Sequence, residues 1–191
     1  MAYLVNTDLK TYLGISGSTD DALLTTIITA AKGYIERKCN RVFEAASSAK
    51  SFPARYPFIS NDRLRLSTYQ DFCSVSAITN GDGVAVNVIT EILLHATETP
   101  YYRIDLKPSK GILWQSSDDT AISVTAYWGF ALTCPPAIFE AMLELGANMY
   151  RRRQTGNAGQ VLQVGRGLIV QPSDVPETLS TIMDAYRRHS A

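Results

Sequence analysis

Histidine is scarce in this chain of 191 residues, with His95 and His189 the only two. A Ser–His or Cys–His arrangement therefore has few possible members, and neither histidine lies in a recognisable motif. His95 reads as part of the packing or edge of a β region and His189 as a solvated tail residue. Cysteine is equally sparse. Cys39, Cys73 and Cys134 are odd in number and far apart, and they match neither a CxxC pair nor a secreted disulfide framework. They read as reduced thiols that behave as small hydrophobes. Long apolar runs are also missing: charge arrives at Asp8 before any signal-peptide core, and no stretch nears the ~20 residues of a membrane span. The expectation is a soluble protein with no membrane partner.

Excess charge of one sign is absent too. Eighteen basic and eighteen acidic residues cancel, so no overall field holds the chain on a phosphate backbone or an anionic membrane. Two further sites fail on chemistry. Asp118-Asp119 are adjacent residues that point apart and have no third ligand at suitable spacing. Gly165-Arg166-Gly167 lacks the preceding strand, third glycine and following helix of a phosphate cradle. No catalytic residue, metal or cofactor is expected, and the chain reads as a non-enzymatic protein that works by contacting other proteins.

What is present is a core. Hydrophobic residues make up 46% of the chain and charged ones 19%, within the globular range, and a chain of this length buries about 70% of its unfolded surface. Thr7 to Gly14 predicts a short helix stopped by a glycine that accepts the left-handed conformation. From Asp20 to Lys38, Leu23, Leu24, Ile27, Ile28, Ala31 and Ile35 recur at helical spacing opposite Thr25, Thr29, Lys32 and Glu36. After Asn40 the pattern becomes short aromatic and β-branched runs: Phe52–Ile59, Leu64–Ser67, Val75–Ile78, Val84–Ile89, Tyr101–Leu106, Ile112–Gln115 and Ile122–Tyr127. Asn80-Gly81-Asp82-Gly83 fits a hairpin turn, and Glu91 to His95 is open as a helical turn.

Pro135-Pro136 ends the last strand and starts a helix to Gln154, since proline in the first turn costs no hydrogen bond. Its polar stripe, Glu140, Glu144 and Asn148, is narrow. Ile138, Met142, Leu145 and Met149 lie on one flank, with Phe139, Leu143 and Tyr150 on the other. The second flank faces either a neighbouring subunit or the protein's own core. Arg151, Arg152 and Arg153 cap the helix C-terminus, form bidentate salt bridges to a neighbouring subunit, or touch passing phosphates. Thr155 to Gln171, with four glycines among Val161, Leu162, Val164, Leu168, Ile169 and Val170, reads as an extended arm or hairpin. Asp174 and Glu177 match a capping box for a final helix with Leu179, Ile182, Met183 and Tyr186 on its apolar face. The predicted fold is α+β and mainly helical, with terminal helices forming a small bundle around an inserted β module. It is one domain over 1–191: helical 1–50 and 131–154, β module 51–130, arm and helix 155–191.

Two segments carry a resemblance. Leu9-Lys10-x-Tyr12-Leu13-Gly14-Ile15, Asp20-Asp21-x-Leu23-Leu24 and Ala30-Ala31-x-x-Tyr34-Ile35-Glu36-x-x-Cys39-Asn40-Arg41-x-Phe43 form the first. The second comprises Val124-x-Ala126-x-Trp128-Gly129-Phe130, Pro135-Pro136-x-Ile138, Ala141, Leu145 and Tyr150-Arg151-Arg152-Arg153. In order, they resemble the head-tail connector (adaptor) proteins of long-tailed bacteriophages and prophages. The resemblance implies a structural subunit of a ring, usually of twelve copies, beneath the portal at the capsid vertex, assembled in the host cytoplasm. Such a ring extends the DNA channel, passes viral DNA without reading its sequence, and docks the tail or a stopper; another phage assembly protein, such as a tail-completion or stopper subunit, is the alternative. Candidate subunit or portal contacts are Phe139, Leu143, Tyr150, Arg151, Arg152, Arg153, Val164, Leu168, Val170, Leu179, Ile182 and Tyr186.

Overall fold

The computed structural model describes residues 3–94, 98–115, 121–154, 160–164, 167–171 and 177–188. The chain divides into two compact units, Met1–Asn40 with Cys134–Ala191, and Arg41–Thr133.

The first unit holds four helices among the described residues: α1 (Asn6–Leu13), α2 (Asp21–Cys39), α3 (Pro136–Gln154) and α4 (Glu177–Ala185). α1 stops at Gly14 and α2 at Asn40, both left-handed, with φ of 69° and 53°. α2 buries Leu24, Ile27, Ala31, Ile35 and Cys39, the stripe its periodicity predicts. α3 buries Ile138, Ala141, Met142, Leu143, Leu145, Gly146, Ala147 and Tyr150. Gly146 lets α1 come close: a Cβ there would lie 3.4 Å from both Leu9 methyls. α4 packs on α2 and α3 with Leu179 and Met183 buried, and the Arg188 amide donates to the Cys39 carbonyl at 2.9 Å.

The second unit is a six-stranded antiparallel sheet with its own apolar core. Its strands are β1 (Ala46–Pro53), β2 (Arg65–Thr79), β3 (Ala85–Val86), β4 (Ile92–Leu94), β5 (Tyr101–Leu106) and β6 (Ala121–Trp128). The order is β1-β6-β2-β5-β4, with β3 paired to β2. Phe72 and Trp128 meet edge to face at 5.7 Å, with Phe52 on the Trp128 ring and Tyr101 on Phe72. The chain enters and leaves this unit side by side: Phe130 donates to Val42 O at 2.7 Å and Ala45 to Ala131 O at 2.8 Å. Gly129 is required there, since at φ 150° a Cβ would lie 2.7 Å from the Ala45 Cα.

A separate hairpin, β7 (Gln160–Val164) and β8 (Gly167–Gln171), belongs to the first unit.

The expected α+β fold, mainly helical with the β region as an insert in a small bundle, is corrected by this sheet. Several strand expectations change with it. The expected runs Leu64–Ser67, from Arg65 on, and Val75–Ile78 belong to one 15-residue strand, β2, interrupted by register shifts. Its polar middle, Thr68 to Asp71, hides the continuity because the bulge takes polar residues inward. Ala46 to Ser51 pair with β6 although their side chains, small apart from Lys50, carry no β signature. Ile112–Gln115 is not a strand; Trp114 fills the core from a loop, its amide donating to Arg63 O. Glu91 to His95 is resolved in part by β4, and His95 lies outside the described residues.

Candidate interaction surfaces

The chemistry of the thiols is set by burial. Cys39 and Cys134 are buried and Cys73 is half-buried; desolvation, the largest influence on Cys73, pushes its thiol above the usual range, which lowers its thiolate fraction and its reactivity. Among the described residues, no three His, Cys, Asp or Glu side chains converge as metal ligands. No described helix is long and apolar enough to cross a membrane. His189, Asp118-Asp119, Gly165-Arg166 and Asp174 lie outside the described residues.

The residues expected to face partners divide into three groups. On α3, Leu143 and Tyr150 are buried within the helical unit and Phe139 is half-buried. The Tyr150 hydroxyl donates to Asp20 Oδ2 at 2.6 Å and accepts from Gln154 Nε2 at 2.7 Å. The Asp20 bond, then burial and the Asp20 charge, hold the phenol above its ordinary range. The second flank of α3 is thus largely covered inside its own unit. Leu179 on α4 is likewise buried, with Ile182 and Tyr186 half-buried.

The second group is exposed. Arg151, Arg152 and Arg153 occupy the last turn of α3, all three exposed, where the helix carbonyls favour cations. The third group, Val164, Leu168 and Val170, sits on β7 and β8, where backbone pairing is described and side chains are not.

Surfaces that sequence reasoning missed lie on the sheet unit. Tyr56 is 81% exposed and Ile89 82%, and Tyr69, Tyr102, Val84 and Leu93 are also exposed. Tyr69 takes a left-handed backbone at φ 53° in the β2 bulge; its hydroxyl donates to Pro57 O at 3.1 Å and its ring meets Phe58 edge to face. A tyrosine fixed in this way presents a rigid amphipathic surface of the kind enriched at protein contacts. The available signal was weak: Tyr56 lies between Arg55 and Pro57, but aromatic and β-branched content assigned the run Phe52–Ile59 to a strand.

Residues 7–92 match the family of phage gp6-like head-tail connector proteins. The match bears out the resemblance at the N-terminal segment and extends through much of the sheet unit, whereas the resembling segment from Val124 to Arg153 lies beyond it. Among solved structures, the fold is similar to a chain in the neck of an empty GTA particle computed with C6 symmetry. That likeness has a TM-score of 0.63 at 14% identity, covering 97% of this chain and 89% of that one. A chain in the neck of a native GTA particle computed with C12 symmetry gives 0.59 at 14%, over 97% and 88%. A chain in the virion of a native gene transfer agent (GTA) particle gives 0.59 at 16%, over 97% and 89%. No curated protein sequence matches the chain.

Proposed function

We propose that this chain, a head-tail connector protein by its family match over residues 7–92, works as a structural subunit of a ring in the neck of a phage-like particle. The observation that carries the reading is the conjunction of that match with likeness over 97% of the chain to neck proteins determined with sixfold and twelvefold symmetry. In this reading the ring holds twelve copies, sits beneath the portal at the capsid vertex and offers its far side to a stopper or tail-completion protein. Repetition around a closed axis uses heterologous contacts, in which one patch meets a different patch on the next copy.

The chemistry of the surface supports such a role. Zero formal charge gives viral DNA little to adhere to as it moves through a channel. Exposed arginines at Arg151 to Arg153 and exposed tyrosines at Tyr56 and Tyr69 are the residue types that anchor protein contacts. Together with half-buried Phe139, Ile182 and Tyr186, they form the proposed contact set, whereas Leu143, Tyr150 and Leu179 serve the subunit's own core.

The test is genetic. Particles produced without this chain should accumulate as DNA-filled heads and separate tails that purified chain rejoins. Normal tailed particles in its absence would overturn the proposal.

A further inference from the structure

The six-stranded sheet ends on two unlike edges. At one end β4 has three residues. At the other, β1 pairs with β6 through eight consecutive residues without a register shift. Every second residue of an antiparallel strand directs its N–H and C=O to the neighbour, so the alternate residues of β1 direct theirs outward. Among the described residues, the one bond its backbone makes outside the β6 ladder is from the Trp128 indole to the Ser48 carbonyl, at 2.8 Å. Open edges are ordinarily shielded by brevity, bulges, proline or projecting charge. β4 is shielded by brevity. β1 is long and unbroken, its proline is its last residue, and its one charge, Lys50, is folded back over the Trp128 ring at 4.7 Å and onto the Gln70 side-chain oxygen. Its side chains leave the edge open as well. Val124, Ala126 and Trp128 on the core face of β6 are buried, yet Ala46 and Ser48, opposite Trp128 and Ala126 on that same face, are exposed, as are Ser47, Ala49 and Ser51 on the other. Short of Phe52, the apolar layer stops one strand before the edge.

We propose that the outer edge of β1 is a strand-addition site for an extended segment of another protein, one that carries bulky apolar side chains and a carboxylate facing Lys50 on the core side of the sheet. Two observations choose this occupant over a second β1. The alanines and serines of β1 leave room beside them for bulky side chains, whereas β1 set against itself would match alanine and serine with alanine and serine and bury little apolar area. The charge is the second. Lys50 is the sole charged residue of β1, burial pushes its ammonium below the ordinary lysine value, and no described carboxylate pairs with it. A carboxylate across the new ladder completes an opposite-charge pair, while a second β1 brings only another cation. The inference stands independently of the ring reading.

The experiment uses the full chain, isotope-labelled, and a peptide blocked at both ends that alternates valine and threonine, with glutamate in place of the central valine. Followed by nuclear magnetic resonance at millimolar peptide, binding should shift the resonances of Ala46 to Ser51. It should also slow amide exchange by about tenfold or more at every second residue of that run, the signature of a new ladder on one edge. The same peptide N-methylated throughout should not bind. Lys50→Glu should weaken the peptide by about fivefold, since an attraction becomes a repulsion at a partly exposed site. A peptide with lysine at its centre should regain that loss, which also shows the variant to be folded. No change at β1, slowing spread evenly over all its residues, or equal binding of the N-methylated peptide would overturn the inference. So would protection of alternate β1 amides in the free chain together with dimers in sedimentation, which would give the edge to a second copy.

Discussion

The helical unit and the sheet unit solve the problem of a unique structure differently. The helical unit is held by periodic apolar stripes: Leu24, Ile27, Ala31 and Ile35 on α2 meet a largely apolar α3, and the buried residues described in it are apolar apart from the Tyr150 hydroxyl. The buried polar residues Thr68, Asp71 and Asn80 all lie in the sheet unit. Each ties separate segments of the chain together. Thr68 Oγ1 donates across the bulge to Gln70 O or Tyr102 O; Asp71 Oδ2 accepts from Arg41 at 3.0 Å; Asn80 ties the hairpin turn to the loop that carries Trp114. A helix in slipped register still buries a stripe, but a strand slipped by one residue turns its core face to water. The sheet therefore needs polar pins that the helices do without.

Removing apolar bulk should harm the sheet unit most. Phe72→Ala empties the ring cluster with Trp128 and Tyr101 and should cost about 3–5 kcal/mol, read as a fall in the denaturation midpoint with loss of tryptophan fluorescence structure. A cost below about 1 kcal/mol would mean that the cluster is not the sheet's centre.

Asn80→Ala tests the pins. Asn80 Oδ1 accepts from the Gly81 and Gln115 amides and its Nδ2 donates to Leu113 O at 3.0 Å. Leaving such groups unpaired should cost about 1–3 kcal/mol, with faster amide exchange at Gln115 and no change on α2. Equal loosening of α2 would break the comparison.

Tyr150→Phe is the counterpart in the helical unit, removing the hydroxyl's bonds to Asp20 and Gln154, with an expected loss of stability smaller than that of Asn80→Ala. Because the folded state raises the Tyr150 phenol, its contribution is intact below the unfolded tyrosine value of about 10 and is lost as pH rises through the folded value. Alkaline destabilisation above that point should shrink in Tyr150→Phe, and an unchanged pH profile would remove the bond from the account.

The smallest effect on stability is expected from replacing Arg151, Arg152 and Arg153 together by glutamate. Exposed positions shift stability by roughly 0.5 kcal/mol or less each, with somewhat more at a helix C-terminus. Assembly should nevertheless stop. Normal assembly of this variant would leave capping as the sole role of the three arginines.

How much was legible follows the same division. α3 spans Pro136–Gln154 as expected, because a proline at its start and a 3.6-residue stripe are strong local signals. β5 over Tyr101–Leu106 was equally clear. β1 was read only from Phe52, since Ala46 to Ser51 take their strand conformation from β6 and not from their own propensity. Trp114 looked like part of a strand because burial is all that its neighbours reveal, while its backbone bonds to a loop. On the interaction surface, Leu179 was assigned to a partner because a short helix needs cover. The cover it finds is α2 and α3, which periodicity cannot foresee. Exposed Tyr56 and Ile89 were invisible for the opposite reason, since apolar residues in a β-rich stretch read as core.

The central claim is that copies of this chain close into a ring on a portal. Electron microscopy of the full chain mixed with portal rings tests it most directly. The account predicts a coaxial ring of twelve copies added to one end of the portal; free portals beside monomers or two-fold dimers would contradict it.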